Sequence, residues 1–250
     1  MRVCVFVDGE NLRFAIGDLF PAFDRREYLP KSADWTGLYD LVVKDASGGK
    51  GNRLRTYWYV SRHFDPFPKP LSYKKRSEEE LLSWKNRYRR LLGSVLENVP
   101  EAETIPKLRE LQTGLSETVS RMRSRFDGIS VLQDGISRKH HAVEFRRSGA
   151  IPYNLITRKF GREKTVDVNL AVDMVTLVAN YDLAVIVSGD QDYVPAAQAV
   201  KNMGKQVVNV AFQARNGKLL PGGAKQLNQT ADWSMALEWE TLRELLNIKE

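Results

Sequence analysis

The amino-acid sequence predicts an α/β fold: a parallel sheet of about five strands flanked by helices, with a helical hairpin inserted between strands. Three observations predict it. Short, continuously apolar runs at Val3–Val7, Leu183–Val187 and Val207–Ala211 have the composition of strands buried on both faces. Strand patterns and helical patterns alternate along the chain, as in βαβ units. The first two runs each end in an acid and a glycine-containing turn, Asp8-Gly9 and Ser188-Gly189-Asp190, which lead into a helical pattern.

A chain of 250 residues is long enough for one large domain, and the expectation is a single domain over 1–250 with a helical insertion at about 64–128. Hydrophobic residues make up 42% and charged residues 28%, ordinary for a globular chain. The net charge of +7 leans toward a polyanionic partner without specifying one. One cysteine, Cys4, excludes an internal disulfide framework and a cysteine-based zinc site; inside an apolar strand it reads as a core thiol. No apolar run approaches a membrane span, and the N-terminus enters a strand without signal-peptide regions. The expectation is a cytoplasmic protein with no membrane partner.

Taken in order, Val3–Val7 is the first strand, and Asn11 is a candidate N-cap for the helix after it. Residues 34–46 read as a helix capped by Asp34, with Trp35, Leu38, Leu41 and Val42 on one face. Gly48-Gly49-Lys50-Gly51 lacks the strand before and the Lys-Ser/Thr after that a phosphate-binding loop needs. Leu54 to Val60, rich in Tyr and Trp, is the second strand. Pro66, Pro68 and Pro70 then mark a break.

Two long amphipathic segments follow, joined by a proline-bearing turn at Pro100. Leu81, Trp84, Tyr88, Leu91 and Val95 stripe the first, and Leu108, Leu111, Leu115, Val119, Met122 and Phe126 the second. This is the pattern of a helical hairpin. Its apolar stripes need cover, and a second copy of the chain is one candidate, which gives an expected homodimer through the hairpin. Lys74, Lys75, Arg76, Lys85, Arg87, Arg89, Arg90, Arg121, Arg123 and Arg125 crowd the same region. Singly they read as a solvated face, and as a set as contacts to a nucleic-acid backbone.

Ile129-Ser130-Val131-Leu132 is expected as a short third strand, and His140-His141 as a surface turn. Val143-Glu144-Phe145 and Tyr153-Asn154-Leu155-Ile156 resemble a strand pair flanking Gly149. Arg146, Arg147, Arg158, Lys159, Arg162 and Lys164 make this section basic and are candidates for gripping a nucleic-acid backbone. A strongly apolar helix opens at Lys164-Thr165-Val166-Asp167, with Asp173 inside it among Ala171, Val172, Met174 and Val175. A carboxylate so surrounded needs a partner or a cation. The Asp190 element comes next, its helix running from Val194 to Met203 and stopping at Gly204. After the fifth strand at 207–211, residues 227–246 read as one amphipathic helix.

Acids thus stand at the carboxyl ends of the first and fourth strands and at a helix start between them. Such ends share one edge of an open sheet, where ligands bind. Asp190 and Asp192 beside one helix start, and Asp167 at another, are either helix caps or a site. Gathered together, carboxylates repel unless a cation is present, and hard divalent ions take oxygen ligands of this kind. The residues therefore point to metal-assisted phosphoryl chemistry.

Three segments together resemble the NYN domain of the PIN-like nuclease superfamily: Val5-Phe6-Val7-Asp8-Gly9-Glu10-Asn11-Leu12, Lys164-Thr165-Val166-Asp167-Val168 with Asp173, and Ser188-Gly189-Asp190-Gln191-Asp192-Tyr193. The resemblance covers roughly residues 1–62 and 126–237. It implies a Rossmann-like sheet in the order 3-2-1-4-5 and a ribonuclease dependent on Mg²⁺ or Mn²⁺. It implies a catalytic set of Asp8, Asn11, Asp167, Asp190 and Asp192. Asp8, Asp167 and Asp190 would be the metal-binding acids. Asn11, Asp173 and Asp192 would lie behind them or at a second ion. The expected reaction is hydrolysis of RNA, single-stranded by preference, by a metal-activated water. Thr165 departs from the family's usual glycine, and the hairpin at 64–128 is longer than the family's connection. Alternative readings are a non-cutting nucleic-acid-binding or regulatory module on the same fold, and a DNA nuclease or phosphatase. The absence of an Asp-x-Asp pair after the first strand speaks against an aspartyl-phosphate phosphatase.

Overall fold

The first strand, β1 (Arg2–Asp8), is buried on both faces from Val3 to Asp8, which requires layers above and below it. The computed structural model describes residues 1–24, 27–162, 165–220, 222 and 224–249. Helices α1 (Gly9–Leu19) and α2 (Trp35–Ala46) follow, then β2 (Asn52–Phe67). Three helices come next: α3 (Glu78–Arg87), α4 (Arg89–Leu96) and α5 (Glu101–Lys139). The chain continues through β3 (Val143–Asn154), β4 (Lys159–Phe160), α6 (Thr165–Thr176) and β5 (Leu183–Val187). It ends with α7 (Val194–Asn202), β6 (Gln206–Gln213), β7 (Leu219–Leu220), α8 (Lys225–Thr230), β8 (Trp233–Leu237) and α9 (Trp239–Leu246).

The sheet order is β4-β3-β2-β1-β5-β6-β7, with β8 paired to β6. β1 pairs in parallel with β2 and β5, and β6 in parallel with β5 and β8; the short β4 and β7 are antiparallel additions. The α/β class and the mostly parallel sheet are as expected. The number and order of strands are not: among the described residues eight strands replace five. The expected third strand at 129–132 is helical, part of α5. Ile129, Leu132 and Ile136 continue the helical spacing of Met122 and Phe126, while Val131 is exposed. The place beside β2 is taken by β3, which runs unbroken through Gly149, where φ is +64°. The helix expected over 227–246 is two short helices around β8, whose Trp233–Leu237 pairs with Val208–Phe212.

The chain divides into two compact units. The first comprises 1–61, 129–148 and 164–250. Alternation along β1 gives it two cores. Val3, Val5 and Val7 face Leu12, Ile16, Trp35, Leu38, Trp58 and Leu242, so α1, α2 and α9 cover one side. Cys4 and Phe6 face Leu170, Met174, Tyr181 and Val200, so α6 and α7 cover the other. Cys4 is the expected core thiol; burial pushes it up to about 11. The second unit comprises 62–128 and 149–163. Its core joins Phe64, Leu81, Trp84, Leu92, Leu108, Leu115 and Val119 to Tyr153 and Leu155. Of the expected hairpin stripes, Leu81, Trp84, Leu108, Leu115 and Val119 are buried in this core, and Tyr88, Leu111, Met122 and Phe126 pack against it. Among the described residues, no helix is long and apolar enough to cross a membrane.

Candidate functional site

The site is built where β1 and β5 end, in the first unit. Asp8 is the last residue of β1 and caps α1: its side chain accepts from the Asn11 amide at 3.0 Å. Asn11, expected as the cap, lies within α1, and its side-chain amide donates to the other Asp8 oxygen. Gly9 makes the turn feasible. A β-carbon there would stand 2.5 Å from the Tyr59 carbonyl oxygen and 2.6 Å from Val60 Cγ1, so β2 approaches too closely for any side chain. Ser188, buried at the end of β5, donates to Asp8 at 3.1 Å and accepts from the Asp190 amide at 3.0 Å. One hydroxyl thus ties the two strand ends together. Asp190 caps the short turn Gln191–Tyr193, accepting from the Asp192 amide at 2.9 Å.

Tyr193 completes the arrangement. Its ring is fully buried, and its hydroxyl lies 3.1 Å from Asp8 Oδ2 and 2.9 Å from Asp167 Oδ1. Asp167 sits in the first turn of α6. Burial, and then the neighbouring Asp8 and Asp167, hold the Tyr193 phenol well above its usual range, so it is a permanent donor. Burial also raises the Asp8 carboxyl, against the hydrogen bonds from Asn11, Tyr193 and Ser188 that favour its charge.

Three acids converge beyond Tyr193. One carboxylate oxygen each from Asp167, Asp190 and Asp192 lie within 4.8 Å of one another; Asp167 and Asp190 are half-buried and Asp192 is exposed. All the donors are hard oxygens, with no nitrogen or sulfur among them. The set fits a divalent ion such as Mg²⁺ or Mn²⁺, which takes a few carboxylates and keeps waters. Among the described residues, the group within this reach does not include the predicted Asp8 and Asp173. The two Asp8 oxygens accept from Asn11, Ser188 and Tyr193. Asp173 has found the partner its apolar setting demanded, Arg146, and also accepts from Tyr59 at 2.8 Å.

The predicted backbone-gripping cations separate in the same way. Arg146 is held by Asp173 and Glu144 and lies over the Tyr57 ring at 4.2 Å. Arg147 is held by Gln133, Asp134 and the Ser130 carbonyl. Arg158, Lys159 and Arg162 are exposed and belong to the second unit. Lys164 lies outside the described residues. The groups that sequence reasoning missed are Ser188 and Tyr193. Their signal was a hydroxyl that must find a partner inside an otherwise apolar strand end and helix start.

The fold thus brings Asp167, Asp190 and Asp192 together as oxygen donors that could hold a cation. Residues 125–226 match the model of the NYN domain, the family that the three motifs resemble. That stretch contains Asp167, Asp190 and Asp192, while Asp8 precedes it. A solved protein of unknown function from Vibrio parahaemolyticus RIMD 2210633 aligns at 12% identity over 94% of this chain and 92% of that one, with a TM-score of 0.43. No curated protein matches the chain.

Proposed function

We propose that the protein is a divalent-metal-dependent ribonuclease. The observation that carries this reading is the convergence of Asp167, Asp190 and Asp192, anchored through Tyr193 to Asp8. The NYN match supports a nuclease-like fold. Asp167, Asp190 and Asp192 would hold the ion. A bound divalent ion acts as a Lewis acid that acidifies water and offsets charge developing on phosphate oxygens. The protein's own contribution is positional. The Tyr193 hydroxyl fixes the Asp167 carboxylate, and the Asp190 cap fixes the Asp192 backbone. Asn11 steadies Asp8 by two hydrogen bonds, a support for the anchor. The net charge of +7 favours approach of a polyanion.

The test is cleavage of a labelled single-stranded RNA with Mn²⁺ or Mg²⁺, comparing the protein with Asp190→Asn. Cleavage should fall by at least about a hundredfold, since even partners behind the ligands of a metal site contribute 10–100-fold. Undiminished cleavage by the variant removes the reading. Wild-type protein that binds RNA and never cuts it would favour a binding module.

A further inference from the structure

The second unit carries a pocket of about 340 Å³ lined by Phe67, Tyr88 and three arginines, Arg87, Arg89 and Arg90. The helix path creates it. α3 ends at Arg87 and α4 begins at Arg89, with Tyr88 between them at φ −108° and ψ 21°. In an unbroken helix Arg87 and Arg89 would point about 200° apart. The break at Tyr88 brings all three, each exposed, to one open depression. Among the described residues, no guanidinium of the three makes a hydrogen bond or an ion pair. Arg76 of the same basic set is, by contrast, tied to Ser116 at 2.8 Å. The wall beside them is aromatic. Phe67 leaves 49% of its surface exposed and meets the Tyr88 ring edge to face at 5.4 Å. Tyr88 in turn packs on the buried Trp84, with ring centroids 5.2 Å apart.

Three unpaired cations call for a polyanion, and an exposed, supported ring calls for a flat partner. An acidic peptide would use the first feature and leave the second idle. We propose that this pocket is a binding site for single-stranded RNA. Arg87, Arg89 and Arg90 take backbone phosphates, and a base stacks on Phe67. The proposal rests on the ribonuclease reading for the choice of polyanion, and on the pocket for everything else. It places a strand-binding site in the second unit, while the acids lie in the first.

The experiment is fluorescence anisotropy of a labelled RNA oligonucleotide with EDTA present, so that binding is read without cleavage. Arg89→Gln with Arg90→Gln should flatten the slope of log affinity against log salt by about 1.4, or 0.7 for each phosphate contact on a single strand. Lys44→Gln with Lys50→Gln removes the same charge from exposed residues outside the basic set and should flatten it less. Phe67→Ala should weaken binding about tenfold or more with the slope unchanged, as expected for a lost stack. Circular dichroism and Tm establish that each variant is folded; if Phe67→Ala is not, the matched charge pairs decide. Equal effects of the two charge pairs overturn the proposal, as does folded Phe67→Ala with wild-type affinity. Displacement of the RNA by polyglutamate as well as by unlabelled strand overturns it too. A nucleoside monophosphate that competes as well as the strand would assign the pocket to free nucleotides and overturn the strand site. Intact pocket binding with no cleavage by the wild type would defeat the ribonuclease reading alone.

Discussion

A phenol has one hydrogen, and Tyr193 sets its hydroxyl between two carboxylates, Asp8 and Asp167. It can donate to one of them at a time. The same Asp8 oxygen also accepts from Asn11 and Ser188, so the phenol proton can serve Asp167. Replacing Tyr193 with Phe keeps the ring in its apolar bed and deletes only that hydroxyl. Two effects are expected. Stability falls by about 1.5–3 kcal/mol, the usual worth of a hydrogen bond to a charged group. Affinity for Mn²⁺ falls about 10–100-fold, because the Asp167 carboxylate loses the group that aims it. Isothermal titration of Mn²⁺ into the wild type and Tyr193→Phe measures the second effect, and equal affinities would show that Tyr193 only packs. The acids of this site were legible in the sequence because strand ends announce themselves. The sorting of those acids was not. Asp173 and Asp167 look alike in a helical pattern, and only the fold brings Arg146 to one and Tyr193 to the other.

At the scale of elements, the misread segments share a cause. Ile129–Leu132 is flanked by Gly128 and Gly135, which look like strand boundaries, yet it continues the helical stripe that begins at Leu108. Trp233–Leu237 was absorbed into a helix because the short α8 and α9 on either side share its apolar content. Local pattern cannot weigh the long-range pairing to β6 that makes it a strand. The end of α5 shows the same override. His140, expected in a surface turn, is buried, and its Nδ1 accepts from the Thr36 amide in the first turn of α2 at 3.3 Å. It therefore satisfies one of the free amides at a helix start. Burial lowers its pKa from the usual 6.5, with Lys139 and Arg53 adding to the shift and Asp34 opposing it. The sign follows. The unfolded chain binds the proton more readily, so the contribution of His140 is present above the unfolded pKa. It is lost as pH falls through the lower folded value. Thermal melts from pH 7.5 to 5 should show the wild type losing more Tm than His140→Gln. Parallel losses would mean that Nδ1 does not have to accept.

For the whole molecule, the deciding quantity is linkage between the ion and the fold. The acid trio comes from two distant parts of the chain, Asp167 on α6 and the pair Asp190 and Asp192 after β5. An unfolded chain holds them too far apart to share an ion. Any ion they share therefore binds the native state alone and stabilises it. At a concentration a hundred times Kd, the gain is about 2.7 kcal/mol, which for a chain of this size raises Tm by roughly 5–10 °C. Mn²⁺ should produce that rise in the wild type and EDTA should reverse it. Asp190→Asn should show little of it, while its Tm without metal stays level or increases, because one carboxylate of a repelling cluster has gone. This readout needs no substrate, so it separates the metal centre from the ribonuclease reading built on it. A wild-type Tm indifferent to Mn²⁺ and Mg²⁺ would leave Asp167, Asp190 and Asp192 as neighbours that only the loop geometry brings together.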